Sequence, residues 1–173
     1  MRKIGQIFRF LIPVIALAGL VVFMTGAGRR ERATLEKNKA IVMRWNEELW
    51  DKGNMAVADE IVASDHVRHI AGQPDLRGRE AMIQYITACR TAWPDWHSTS
   101  EIMIAEGDKV MVRWRSTGTH TGTAWGIPPT GNKANFITDT IYRIAGGKIV
   151  ESWQVDELAV YLQMGFKLVP PGQ

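Results

Sequence analysis

The stretch Lys109–Val155, KVMVRWRSTGTHTGTAWGIPPTGNKANFITDTIYRIAGGKIVESWQV, decides the fold. Three runs rich in β-branched and aromatic residues alternate in it with turn residues. The first, Lys109–Gly118, and the second, Asn135–Ile144, flank the loop His120–Gly131, HTGTAWGIPPTG, whose Gly126, Pro128, Pro129 and Gly131 punctuate the chain. Ala145-Gly146-Gly147 then turns into the third run, Lys148–Val155. Such turn-rich connections predict antiparallel neighbours, because a parallel pair needs a crossover of a dozen or more residues, usually a helix, which this Gly- and Pro-punctuated loop does not supply. The strands carry Trp114, Phe136, Tyr142 and Trp153, and the loop adds Trp125, a set suited to the wall of an apolar pocket.

Upstream, helical periodicity dominates. Val42, Trp45 and Leu49 share one face of a helix expected over Leu35–Asp51, which Gly53-Asn54 ends. A short helix over Met55–Val62 and an extended run His66–Ile70 follow. Gly72–Gly78 is a loop, and Arg79–Trp93 is a third helix stopped by Pro94. Met82, Ile86, Cys89 and Trp93 form its apolar stripe. That spacing makes the single cysteine a buried small hydrophobe rather than a thiol nucleophile. A strand over Trp96–Ala105 turns at Glu106-Gly107-Asp108 into the meander. Asp156 is placed to cap a last helix, Glu157–Met164, with Gly165 as its stop.

The net charge of +3 over 173 residues comes from one end. Residues 1–32 hold six Lys/Arg and one acid, leaving 15 basic and 17 acidic residues in 33–173. A folded body with that balance has no electrostatic footprint for nucleic acid. Phe10–Ala27 is an uncharged run of 18 residues behind a basic lead. As a helix it spans roughly 27 Å, close to a bilayer's hydrocarbon thickness. Two readings stand: a signal peptide cleaved after Thr25-Gly26-Ala27, or an uncleaved anchor, which the run's length and the following Arg29-Arg30 favour. The expected organisation is a segment 1–32 that exports or tethers, and one folded domain, 33–173.

The run HTG…GIPPTG with IYRI and GGKIVESW, preceded in order by WDKGN, DHVRH, GREAM, AWPDW and AEGDKVMVRW, resembles the SnoaL-like family of polyketide and ester cyclases over roughly Lys37–Gly165. The resemblance implies an α+β, nuclear-transport-factor-2-like fold, a cone-shaped curved antiparallel sheet wrapped around about three N-terminal helices. It also implies a small-molecule pocket inside, and acid–base chemistry without a cofactor. In family cyclases an aspartate directly after the E-x-W-type stretch is the acid/base of an aldol closure. Here that position is Gln154, which can orient a carbonyl but cannot take a proton. His69 and His120 match the family's two recurring histidines.

Other residue patterns bear on the chemistry. His66 and His69, three apart on an extended run, face opposite ways, so they do not make a metal pair. There is no GxSxG elbow and no phosphate loop. Asp139, on a strand face with Ile137 and Ile141, is either paired with an Arg or His or a perturbed site acid. The expected proton carriers are therefore Asp139 with His69 or His120. Gln154, Trp125, Trp114, Trp153, Phe136 and Asp156 would contact substrate, with no metal and no cofactor. Two functions stay open: an enzyme acting on a small hydrophobic carbonyl or ester compound, and a non-catalytic domain holding such a molecule or a lipid near the membrane. Arg113, Arg115 and Thr117 beside Met111 and Ile137 suggest an outer face that a homodimer would cover.

Overall fold

A computed structural model describes residues 26–71, 73–123 and 126–155. Residues 10–25 of the apolar run, Trp125, Asp156 and the expected closing helix lie outside these residues. The chain divides into two compact units, Met1–Glu36 and Lys37–Gln173. In the first, 26–36 is helical and mostly exposed, with the Thr34 hydroxyl donating to the Arg30 carbonyl at 3.1 Å. Among the described residues no helix is long and apolar enough to cross a membrane.

The second unit begins with a helical run, α1 (37–51). Its last turn, Trp45–Asp51, widens to a π-helix, and the Lys52 amide donates five residues back to Glu47 at 3.1 Å. Widening changes which side chains align. Trp50 joins Val42, Trp45 and Leu49 on the buried side, where a regular helix would carry it further round. A 3₁₀ turn (Met55–Val57) and one turn of helix, α2 (Ala58–Ile61), lead into β1 (Val62–Ile70). Two residues, β2 (Leu76–Arg77), precede α3 (Arg79–Ala92). Four long strands complete the sheet: β3 (His97–Glu106), β4 (Lys109–Thr119), β5 (Lys133–Ala145) and β6 (Lys148–Val155).

The sheet order is β2-β1-β6-β5-β4-β3. The expected meander is there, antiparallel from β3 through β6. One pair runs the other way. β1 lies parallel to β6, which its early position in the chain allows, since the intervening helix and meander supply the long crossover. Gly146 and Gly147 both take positive φ, 58° and 77°, as a two-residue hairpin turn with the twist of its strands demands.

Side chains alternate cleanly across the sheet. Val110, Val112, Trp114 and Ser116 of β4, and Phe136, Thr138, Thr140, Tyr142 and Ile144 of β5, face inward. Val110, Val112, Trp114, Tyr142 and Ile144 of these pack with Trp45, Leu49, Met82, Ile86 and Cys89 of the helices. Burying apolar side chains of this size contributes about 1.5–3 kcal/mol each, so this inward face holds the unit together. Polar links set the rim of the core. Asn46 donates to the Ser98 carbonyl at 3.2 Å, the Ser98 amide donates to Asp51 at 3.1 Å, and the Ser98 and Ser116 hydroxyls meet at 2.8 Å.

Candidate functional site

Strand parity decides which titratable groups enter the interior. On β1 the inward residues are His66, Arg68 and Ile70, all buried, while His69 points outward. On β6 Ser152 is fully buried, and its parallel partner in register is Arg68. His66 and Arg68 therefore sit under the helices, against Trp45, Trp50 and Tyr85.

His66 has no exposed surface. Its Nε2 lies 3.2 Å from the Ser152 hydroxyl, and among the described residues its Nδ1 has no hydrogen-bond partner. Burial, and next the charge of Arg68, lower its pKa from 6.5 to about 4. The ring is neutral at ordinary pH. If Nε2 carries the proton and donates to Ser152, the Nδ1 lone pair is open to a proton from elsewhere.

Arg68 donates to the side-chain carbonyl of Gln154. Its guanidinium lies 5.9 Å from the Trp50 ring centre and 5.6 Å from that of Tyr85. Nearby, the Trp114 indole donates to the Tyr142 hydroxyl at 3.1 Å, and burial raises the Tyr142 pKa. Trp50 continues to Trp96 (5.2 Å between ring centres), Trp96 to Phe136 (5.5 Å) and to Trp93 (6.0 Å). Trp93 in turn packs on His120 at 5.1 Å. An aromatic wall thus runs from Arg68 to His120.

His120 is fully buried where β4 enters the loop. Its backbone clasps the loop: its amide donates to the Asn132 carbonyl and its carbonyl accepts from the Gly131 amide, both at 2.9 Å. Nδ1 accepts from the Thr130 amide at 3.3 Å, so in the neutral ring the proton sits on Nε2, which has no partner among the described residues. His120 is thus tied to loop architecture on one side and open on the other.

The remaining expected residues divide by face. Gln154, Trp114 and Phe136 are on the inward side with His66 and Arg68. His69 and Asp139 are on the outward side. His69 is gripped between Asp75 (2.8 Å) and Glu151 (3.0 Å) and stacks on Trp153, whose ring centre is 5.5 Å away. Glu151 and then Asp75 raise the His69 pKa, as two flanking carboxylates must. Trp153 therefore belongs to this outer cluster, which Arg143 extends by pairing with Glu151 at 2.8 Å. Asp139 has the Arg partner that its apolar face called for, a two-pronged pair with Arg113 at 2.9 and 3.0 Å. The structure does not bring Asp139 together with His69 or His120.

Sequence reasoning passed over His66, Arg68, Trp50 and Tyr85. A signal for the first two was present: Val62 and Ile70 bound β1 with apolar residues, and parity from Ile70 puts 68 and 66 inside. The widened turn that brings in Trp50 has no comparable sequence mark. Among the described residues no group of three or more His, Cys, Asp or Glu could hold a metal ion.

Comparison with known proteins fits this geometry. The model of the family SnoaL-like polyketide cyclase matches residues 40–164. No curated protein matches the chain. Among solved structures, a provisionally assigned SnoaL-like polyketide cyclase from Jannaschia sp. CCS1 superposes with a TM-score of 0.71 at 25% identity, over 77% of this chain and 94% of that one. A provisionally assigned polyketide cyclase from Acidithiobacillus ferrooxidans is 28% identical, with a TM-score of 0.64, over 75% and 94%. IdmH from Streptomyces antibioticus, likewise a provisionally assigned polyketide cyclase, is 26% identical, with a TM-score of 0.64, over 75% and 99%.

Proposed function

The chain belongs to the SnoaL-like polyketide cyclase family, and from that premise we propose that it performs cofactor-independent acid–base chemistry on a small hydrophobic carbonyl or ester compound. The observation that carries this reading is His66: a fully buried, neutral imidazole on the inward face with one ring nitrogen unpartnered. In this reading Nδ1 removes a proton from the carbon beside a carbonyl, and the electron pair moves onto the carbonyl oxygen. The resulting carbanion equivalent attacks a second carbonyl carbon of the same molecule. The alkoxide formed takes the proton back from His66, so the ring returns to its starting state and a ring closure is complete. Such a positioned base is worth roughly 10²–10⁴ in rate.

His66 takes the role expected of Asp139 with His69 or His120: Asp139 and His69 are held in ion pairs on the outer face, and His120 is tied to the loop through Thr130. The amide of Gln154, where family cyclases carry an aspartate, favours a second reading in which the domain binds without turning over. The sequence of residues 1–32 supports delivery of the domain to a membrane or beyond it. Exposed Ile102, Ile104 and Ile141 on the outer face support a second copy of the chain as its cover.

The test is product analysis by chromatography and mass spectrometry with a panel of aryl β-keto esters whose ring carries an ortho acyl group, so that the carbon between the two carbonyls can close onto it. Wild type should form cyclised product, Asp139→Asn and His69→Gln should retain it, and His66→Gln should lose it. Substrate recovered unchanged with all four proteins, yet bound by wild type, would select the binding reading.

A further inference from the structure

Arg68 is a buried cation without an acid among the described residues. It is 2% exposed, and among the described residues no carboxylate forms a salt bridge with it. Among the described residues its Nε has no hydrogen-bond partner. Among the described residues its contacts are neutral: the Gln154 carbonyl on one nitrogen and the faces of Trp50 and Tyr85. A guanidinium keeps its charge at any ordinary pH, and burying an uncompensated charge is costly. The two rings recover part of that cost, but they cannot engage a donor fork built for two oxygens.

We propose that Arg68, steadied by Gln154 between Trp50 and Tyr85, receives the carboxylate of the ligand, so that the molecules this inward face takes are hydrophobic carboxylic acids. The proposal rests on the reading that the inward face receives a small molecule, and it names that molecule's class. Nε and a terminal nitrogen of Arg68 offer a two-pronged contact to one carboxylate, and the aromatic wall through Trp50, Trp96 and Phe136 takes the apolar remainder. The arrangement has a consequence for His66. Arg68 is, after burial, the largest cause of the lowered His66 pKa; Glu151 and Asp65 push it the other way, and His69 adds to the lowering. A carboxylate on Arg68 cancels the cationic push, so an acid ligand makes His66 a stronger base when it arrives. Gln154 then has a physical role: a carboxylate at that position would occupy Arg68 from within the chain.

The test uses the full-length chain in mild detergent, titrated calorimetrically with benzoate and with benzamide, which match in size and differ in charge. Wild type should bind benzoate at least roughly tenfold more tightly than benzamide, as expected for a desolvated two-pronged contact. Arg68→Gln should abolish that preference, and so should Gln154→Glu, which delivers a carboxylate to Arg68 in nearly unchanged shape. Should Arg68→Gln fail to fold, the comparison of wild type with Gln154→Glu still decides. Equal affinities in wild type, a preference that survives in Gln154→Glu, or no binding of either ligand at millimolar concentration would overturn the proposal. So would a preference that emerges only in Asp156→Asn, since the chain itself would then supply the counter-charge. Benzoate preference without turnover of any carbonyl compound would leave this inference standing and remove only the catalytic one.

Discussion

At the scale of single residues, His66 makes the sharpest claim, because its burial has a thermodynamic signature. Its folded pKa of about 4 lies below the value near 6.5 of an exposed histidine. Above about pH 6.5 neither state binds the proton; between there and about 4 only the unfolded chain does. Stability should therefore fall as pH drops through that window, by up to about 3 kcal/mol from this residue. Denaturant melts of wild type and His66→Gln at pH 7 and pH 4.5 measure it: wild type should lose more stability than the variant. His69 has the opposite sign, since its raised pKa adds stability that is lost as pH rises, so the difference between the two proteins isolates His66. Asp139 lies in an ion pair on the outer face. Its pair with Arg113 is partly solvated, so Asp139→Asn should cost less than about 1 kcal/mol and leave ligand affinity unchanged. Alternation on β1 told from sequence that His66 and His69 diverge. Parity from the apolar Ile70 marks position 66 as the inward one; it does not tell that Arg68 lies in register with Ser152, because that depends on the parallel pairing with β6, a long-range contact without a local mark.

At the scale of elements, the periodicities carried most of the fold. The runs read as strands over 109–118, 135–144 and 148–155 are β4, β5 and β6 with ends moved by at most two residues. The stripe of Met82, Ile86, Cys89 and Trp93 is buried as its spacing requires. What escaped was geometry that periodicity does not encode: the π-turn at Trp45–Asp51 and the two-residue strand β2 inside an expected loop. The joint between α3 and the long loop is the most constrained element contact. The amides of Thr121 and Gly122 both donate to the Ala92 carbonyl, at 3.0 and 3.1 Å. A Cβ on Gly122 would stand 1.8 Å from the Thr91 carbonyl oxygen, a backbone atom that cannot swing aside. Gly122→Ala should therefore force the loop off the helix end and cost at least about 2 kcal/mol, in the range of other severe steric changes. A thermal melt checks it, and a variant within half a kcal/mol of wild type would show that the loop is not clamped there.

At the scale of the whole molecule, the division of charge and of hydropathy points to a basic, apolar N-terminal segment and a nearly neutral catalytic or binding body. From the uncharged run Phe10–Ala27, full-length protein should sediment with membranes or appear outside the cytoplasm. An uncleaved tagged chain in the cytosolic supernatant would contradict that. The cone itself was legible as a family pattern, while the grouping of its inward-facing side chains was not, because residues on β1, β6, α1 and α3 meet only after the sheet curves around the helices. The claim that this interior moves protons is open to one direct measurement. The full-length chain is incubated in deuterium oxide at neutral pH with an aryl β-keto acid, and mass spectrometry follows deuterium uptake at the carbon between the two carbonyls. Chemistry at His66 predicts uptake above the uncatalysed rate with wild type and a drop of roughly 10²-fold or more in His66→Gln, with its circular dichroism unchanged. Equal uptake by wild type and a folded His66→Gln would contradict it.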